Sequence, residues 1–179
     1  MNFIIFDLEC TCWQHDPPGF VQEIIEIGAV KVNRYGEVSE KYDKFVKPVV
    51  FPVLSAFCKE LTSITQENVN RAKTFPHVIE TFRDWIDVDE EYLLCSWGNF
   101  DKKQLIHNAQ YHCLEHNWMQ EHINLKDQYK ELKRYKNPAG LKKTVEKEGF
   151  EFEGIHHRGF DDAYNLAKIF IKYLDDWKY

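Results

Sequence analysis

No stretch of this sequence approaches the roughly 20 consecutive apolar residues that a bilayer-spanning helix needs, so no helical membrane span is expected and membrane is not a predicted partner. Glycine and proline are sparse, eight and six among 179 residues, and nowhere do they gather into a linker. Repeats and low-complexity tracts are lacking too. A single domain over residues 1–179 is the expectation, and at 44% hydrophobic and 15% aromatic such a chain can bury a sizeable core. The opening MNFIIFDLEC has no basic segment and meets acids after a short apolar run, so it does not read as a signal peptide.

Soft metal ligands are also short. The five cysteines, at 10, 12, 58, 95 and 113, are odd in number and lack a framework spacing, which fits free thiols in a reducing, cytoplasmic setting. Cys10 and Cys12 have no second cysteine pair with which to bind a structural zinc. His112 and His116 stand four residues apart, but no glutamate completes an HExxH pattern, so packing or solvated histidines are expected. Excess positive charge is missing as well. The net charge of −6 argues against nucleic acid at face value. Its distribution argues otherwise, because residues 126–147 hold eight Lys/Arg against three acids, with Tyr129 and Tyr135 interleaved. Such a stripe can track a phosphate backbone, or be a solvated helix face followed by a loop.

Secondary structure follows from period and punctuation. NFIIFDLE, EIIEIGAVKVN (23–33) and KYDKFVKP (41–48) read as three strands with short connections, an antiparallel meander, with Arg34–Glu37 as one turn. PHVIETFRDWIDV then places residues 78, 79, 82, 85 and 86 on one helical face. YLLCSW (92–97) is a short buried strand. A helix follows from Asp101 to about Cys113, then a short strand around HINLKD and a helix over 140–148 closed by Gly149. The last helix, Asp161 to Leu174, carries Ala163, Leu166, Ala167, Phe170 and Leu174 on one stripe. Phe82/Trp85 and Phe170/Tyr173 are expected in the core, whereas Trp97 and Trp118 are not placed by pattern. The sum is an α/β sandwich around a mixed sheet.

Chemistry concentrates at three sites. Asp7 and Glu9 end the first strand two residues apart, so they project to one face. Two like charges there are costly unless a cation lies between them, and hard oxygen ligands suit Mg²⁺ or Mn²⁺; a solvated strand end is the plainer alternative. Asp101 enters a helix just past a buried strand. His-x4-Asp occurs twice at the last helix, as His156/Asp161 and His157/Asp162. Helical phase places Asp161 over Asn165, Lys168 and Lys172, as an N-cap. Asp162 lies over Leu166 and Phe170 and faces the sheet, which selects it as a ligand with His157 as its companion. Four acids could surround two divalent ions, one activating a water and one stabilising a leaving oxygen in phosphoryl displacement, with His157 on a mobile loop taking the water's proton.

Asp7/Glu9, Asp101 and His157/Asp162, in that order, resemble the DEDDh 3′-5′ exonucleases of the RNase T and DnaQ-like superfamily. The strings FDLECTCW, EIIEIGAV, FCKELTSIT, SWGNFD, PAGLKK and HHRGFDDAYNLAKIF resemble in particular the exoribonuclease branch that trims histone messages and small RNAs, and bacterial KapD-type proteins. The resemblance covers Phe3 to about Tyr173. It implies an RNase H-like fold with a mixed five-stranded sheet flanked by helices, and two Mg²⁺ (or Mn²⁺) ions held by Asp7, Glu9, Asp101 and Asp162. It implies His157 as general base, Leu61, Thr62 and Phe100 around the terminal nucleotides, and Glu9 on the 3′-OH. The expected activity is release of nucleoside 5′-monophosphates from single-stranded 3′ ends, RNA preferred. A regulatory binding module acting through protein contacts and a DNA proofreading exonuclease are the alternatives.

Overall fold

The computed structural model describes residues 1–137 and 139–179. Pro138, the first residue of PAGLKK, lies outside the described residues. The first strand, β1 (Asn2–Cys10), is buried on both faces: Phe3 and Ile5 point one way, Ile4, Phe6 and Leu8 the other. That double burial is why NFIIF reads as a continuous apolar run rather than as an alternation. β2 (Ile24–Asn33) pairs antiparallel with β1, and β3 (Val38–Lys47) antiparallel with β2, so the expected meander is present. The β2–β3 turn has Gly36 at φ +80°, and Asn33 Oδ1 accepts the amides of Tyr35 and Glu37 at 2.9 and 3.0 Å.

After β3 come α1 (Ala56–Thr62), α2 (Gln66–Arg71), the two-residue strand β4 (Lys73–Thr74) and α3 (Phe75–Ile86). Then follow β5 (Tyr92–Ser96), α4 (Phe100–Tyr111), β6 (His122–Asn124), α5 (Leu125–Lys133), α6 (Leu141–Lys147) and α7 (Gly159–Lys172). The sheet order is β4-β3-β2-β1-β5-β6, with β5 parallel to β1, β6 to β5 and β4 to β3. The mixed sheet therefore has six strands, one more than expected, and the extra one is β4. No helix of the described residues is long and apolar enough to cross a membrane.

Helices cover both faces. The even-numbered face of β1 packs on Phe75, Val78, Ile79, Phe82 and Ile86 of α3 and on Leu105 and Ala109 of α4. The odd-numbered face packs on α7, where Leu166, Ala167 and Phe170 of the expected stripe join the cluster and the Phe170 ring lies 4.9 Å from that of Phe3; Ala163 is buried too, whereas Leu174 lies past the helix end and is partly buried. Burying each large apolar side chain stabilises the fold by about 1.5–3 kcal/mol. Trp85 and Tyr173 sit at the core margin, Trp118 packs near Phe82, and Trp97 lies against Tyr129. His112 stacks on Phe75. The Glu148 carboxylate joins α5 and α7, accepting from the Tyr129 and Tyr173 hydroxyls and from Lys133 and Lys172.

α7 approaches the sheet closely at one point. A Cβ added to Gly28 of β2 would stand 2.0 Å from the carbonyl carbon of Gly159 and 2.0 Å from the amide nitrogen of Phe160. Only glycine admits the helix start to this distance. Gly28→Ala is expected to lower the melting temperature, with a loss at or above the ~1–3 kcal/mol typical of overpacking; an unchanged thermal melt would show that the contact is slack.

Candidate active site

Asp7 and Glu9 leave the same face of β1, and in register across β2 stand Gly28 and Glu26. Pairing shifts between Glu9 and Cys10, where the strand ends. Facing them is the first turn of α7, which carries Asp162, 4% exposed. Asp7, Glu9 and Asp162 each offer a carboxylate oxygen within 4.8 Å of the others. Residues from opposite ends of the chain thus form one all-oxygen donor set, which suits a hard divalent cation. Asp101, in the first turn of α4, stands beside this group. Its Oδ1 accepts the Leu8 amide at 3.2 Å, which ties the start of α4 to the end of β1.

The segment leading into α7 departs from expectation in three ways. Arg158, not Asp161, is the N-cap residue; Asp161 is the third helical residue and accepts the Ile155 amide at 2.8 Å. Asn165, expected on a polar face, is fully buried and exchanges hydrogen bonds with the Glu153 backbone at 3.0 and 2.7 Å. The ring against Asp162 is that of His156, whose Nδ1 lies 3.0 Å from Oδ1. His157 instead donates its backbone amide to Asp162 Oδ2 at 3.3 Å and stacks its ring on His156, with 4.0 Å between centroids. Its backbone is left-handed, φ +66°. Among the described residues, the His157 ring nitrogens make no hydrogen bond. The arm that carries His157 makes hydrogen bonds at Glu153, Ile155, His156 and Arg158. His156, His157 and Asp162 form a second cluster that shares Asp162 with the first.

Crowding shows in the titration of the acids. Burial, then the charges of Asp101, Asp162, Glu9 and Glu26, push the Asp7 carboxyl well above its ordinary range. Burial, then the charges of Asp162, Glu26 and Asp101, raise Glu9 to about 9, and burial raises Asp101 to about 6. Asp162 is raised by burial, with His156 opposing. The His157 imidazole is lowered by burial and by His156, which favours its neutral form.

The residues expected around the terminal nucleotide are placed differently from one another. Leu61, in α1, is 37% exposed, and Phe100, next to Asp101 at the start of α4, is 48% exposed. Thr62 is fully buried, and its hydroxyl donates to the Cys58 carbonyl at 2.8 Å and accepts the Ile64 amide at 3.2 Å. Its side chain shapes the end of α1 from within. α1 is held beside the β1 exit by Ser55, which donates to the Cys12 carbonyl at 2.6 Å, and by the Cys58 thiol on the Cys10 carbonyl. Sequence reasoning missed Glu26 and Arg158. Glu26 is 0% exposed, and its signal was a charge inside the apolar run EIIEIGAV, which needs a partner. The other acid of that run, Glu23, accepts the amides of Val49, Val50 and Phe51 at 2.6–3.0 Å.

The sequence model of the RNase T family, described as exonuclease, matches residues 4–170. The chain belongs to the exonuclease family. Human 3'-5' exoribonuclease 1 is 34% identical over 96% of this chain, and the chain spans about half, 52%, of that relative's length. The probable 3'-5' exonuclease KapD of Bacillus subtilis is 31% identical over 99% of this chain and 87% of its own length. Among solved structures, the nuclease domain of 3'hExo, a DEDDh family member bound to rAMP, superposes with a TM-score of 0.88 at 35% identity, covering 98% of this chain and 92% of that one. The fold of this chain is therefore RNase H-like, with six strands.

In the metal-free protein the native state holds protons on these acids more tightly than the unfolded chain does. For Glu9 that contribution is present below its ordinary value of 4.5 and is lost as pH rises through about 9. The melting temperature of metal-free protein is expected to fall as pH rises across this window. Mg²⁺ or Mn²⁺ should restore it at the alkaline end, and Asp7→Asn should flatten the fall. A pH-independent melt would mean the acids do not repel.

Proposed function

We propose that this chain is a divalent-metal-dependent 3′-5′ exonuclease that removes nucleoside 5′-monophosphates from single-stranded 3′-OH ends, RNA preferred. The observation that carries the reading is the meeting of Asp7, Glu9 and Asp162 within 4.8 Å, with Asp101 fastened alongside. These four would hold two ions, Mg²⁺ or Mn²⁺. Bound there, such ions supply charge neutralisation at a scissile phosphate and a more acidic water. His157 is the base: its ring is free of protein hydrogen bonds among the described residues, and burial favours the neutral imidazole that accepts a proton. His156 steadies Asp162. Leu61 and Phe100 offer apolar surface to the terminal bases at the mouth of the site, and Thr62 fixes the helix end behind Leu61. Glu9 would receive the 3′-OH, a place where a 3′-phosphate would face two carboxylates. One catalytic domain over 1–179 and a reducing, cytoplasmic setting, in keeping with five free thiols, complete the reading.

End-labelled linear, circular and 3′-phosphorylated strands of RNA and DNA, incubated with Mg²⁺, Mn²⁺ or EDTA, test it. The linear 3′-OH strand should shorten one nucleotide at a time with metal only, and the other two should persist. Internal cutting of the circle at a comparable rate would overturn the exonuclease reading.

His157→Ala should lower kcat by about 10²–10⁴, the range for a lost general base, with His156→Ala costing less. A larger loss for His156→Ala would reassign the base.

Part of the basic stripe is engaged internally, Lys133 with Glu148 and Lys147 over the Tyr135 ring. Lys142 and Lys143 on α6 are exposed. Replacing both with Gln should weaken binding of longer RNA and flatten the slope of log affinity against log salt; an unchanged slope would remove the stripe from the RNA path.

A further inference from the structure

One buried charge pair next to the candidate ligands has no part in the chemistry above. Glu26 holds the arm that carries His157. Arg158 Nε donates to both Glu26 oxygens at 3.1 Å and Arg158 Nη2 to Oε1 at 2.7 Å, while the Gly159 amide donates to Oε2 at 2.8 Å. α7 has no cap from its own N-cap side chain. Its first amide, an orphan donor in any helix, is satisfied from β2 instead. The Arg158 carbonyl meanwhile accepts the Asp162 amide at 2.8 Å, so the residue whose side chain Glu26 grips also closes the turn beneath Asp162. On its other side Glu26 is the register partner of Glu9. One carboxylate thus spans the gap between the ligands on β1 and the ligand and base on α7.

A buried ion pair is ordinarily a structural staple with uncertain net benefit. Here the partners are Arg158, the N-cap, and Gly159, the first residue of the turn that contains Asp162, and the same short arm contains the left-handed turn at His157. Gly28, beside Glu26 in β2, permits the close approach that the grip requires. Loosening Glu26 therefore moves His157 and Asp162 together relative to Asp7 and Glu9, with the core stripe of α7 unchanged.

We propose that Glu26, through Arg158 and Gly159, is a positioning residue that sets the separation between the β1 acids and the His157–Asp162 arm. The inference rests on the exonuclease reading for its catalytic consequence. Glu26→Gln removes the charge-assisted fork to Arg158 while keeping volume and one acceptor; Arg158→Lys keeps the charge and loses the fork. Glu26 is fully buried and Arg158 only partly so, and the second variant is the milder should the first fold poorly.

The test measures kcat and KM on a linear 3′-OH RNA oligonucleotide, Mn²⁺ affinity by electron paramagnetic resonance, and melting temperature, for wild type, both single variants and the double variant. Outer-shell partners of metal ligands typically change affinity or activity 10–100-fold. Each single variant, still folded, is expected to lose about tenfold or more in kcat with KM within about twofold. Mn²⁺ should bind about tenfold more weakly, and the double variant should lose little beyond the worse single, since both break one link. Wild-type kcat and Mn²⁺ affinity in both single variants would overturn the positioning role, whatever their melting temperatures. If wild type shows no nuclease activity while Mn²⁺ affinity still falls in the variants, the exonuclease reading fails and the positioning role stands.

Discussion

Three carboxylates held within 4.8 Å of one another repel, and the rest of the molecule is arranged so that they cannot move apart. Asp7 and Glu9 are fixed by pairing with β2 on one side and, on the other, by the Leu8 amide between them held on Asp101, beyond the Asn2–Ile5 stretch that pairs with β5. Asp162 is fixed by a helix whose inner stripe is buried against that strand. Packing free energy distributed along β1 and α7 offsets a local electrostatic cost, and the imbalance is relieved by protons in the metal-free protein or by cations when they bind. A site of this kind is an affinity for positive charge built by the fold.

The polar interactions around the site divide into two tasks. Asp101 on the Leu8 amide, Ser55 and Cys58 on the Cys12 and Cys10 carbonyls, and Glu23 on the amides of residues 49–51 anchor the loops and helix ends that surround the β1 exit. Glu26 and the hydrogen bonds of Asp161 and Asn165 fix the arm before α7. The first task shapes the opening, and the second sets the distance across it.

Much of this was legible in the sequence for physical reasons. β1, β2 and α7 showed because their apolar runs or stripes extend over nine or more residues, and β3 because Pro48 ends it just past Lys47. α1 and α2, at seven and six residues, have fewer than two turns in which a period can repeat, and β4 has two residues. The convergence of Asp7, Glu9 and Asp162 followed from strand alternation and helical phase. The ring on Asp162 did not, because counting by helical phase presumes a helix at 156 and 157, whereas the helix begins at Gly159 and the chain before it turns left-handed at His157. The burial of Asn165 was hidden because its partner is the backbone of Glu153, and backbone carries no letter in a sequence.

The brevity of β4 leaves a mark elsewhere. It covers the outer side of β3 only at Val46 and Lys47, so among the described residues the stretch Val38–Phe45 has no strand beyond it. An open sheet margin is a template for stacking identical chains. Here it carries Glu40, Lys41, Asp43 and Lys44 in near succession, and a second copy sliding alongside would have to dehydrate these charges to form its ladder. The same short strand that ends the sheet thus leaves the guarding of this margin against a second copy to four charged side chains.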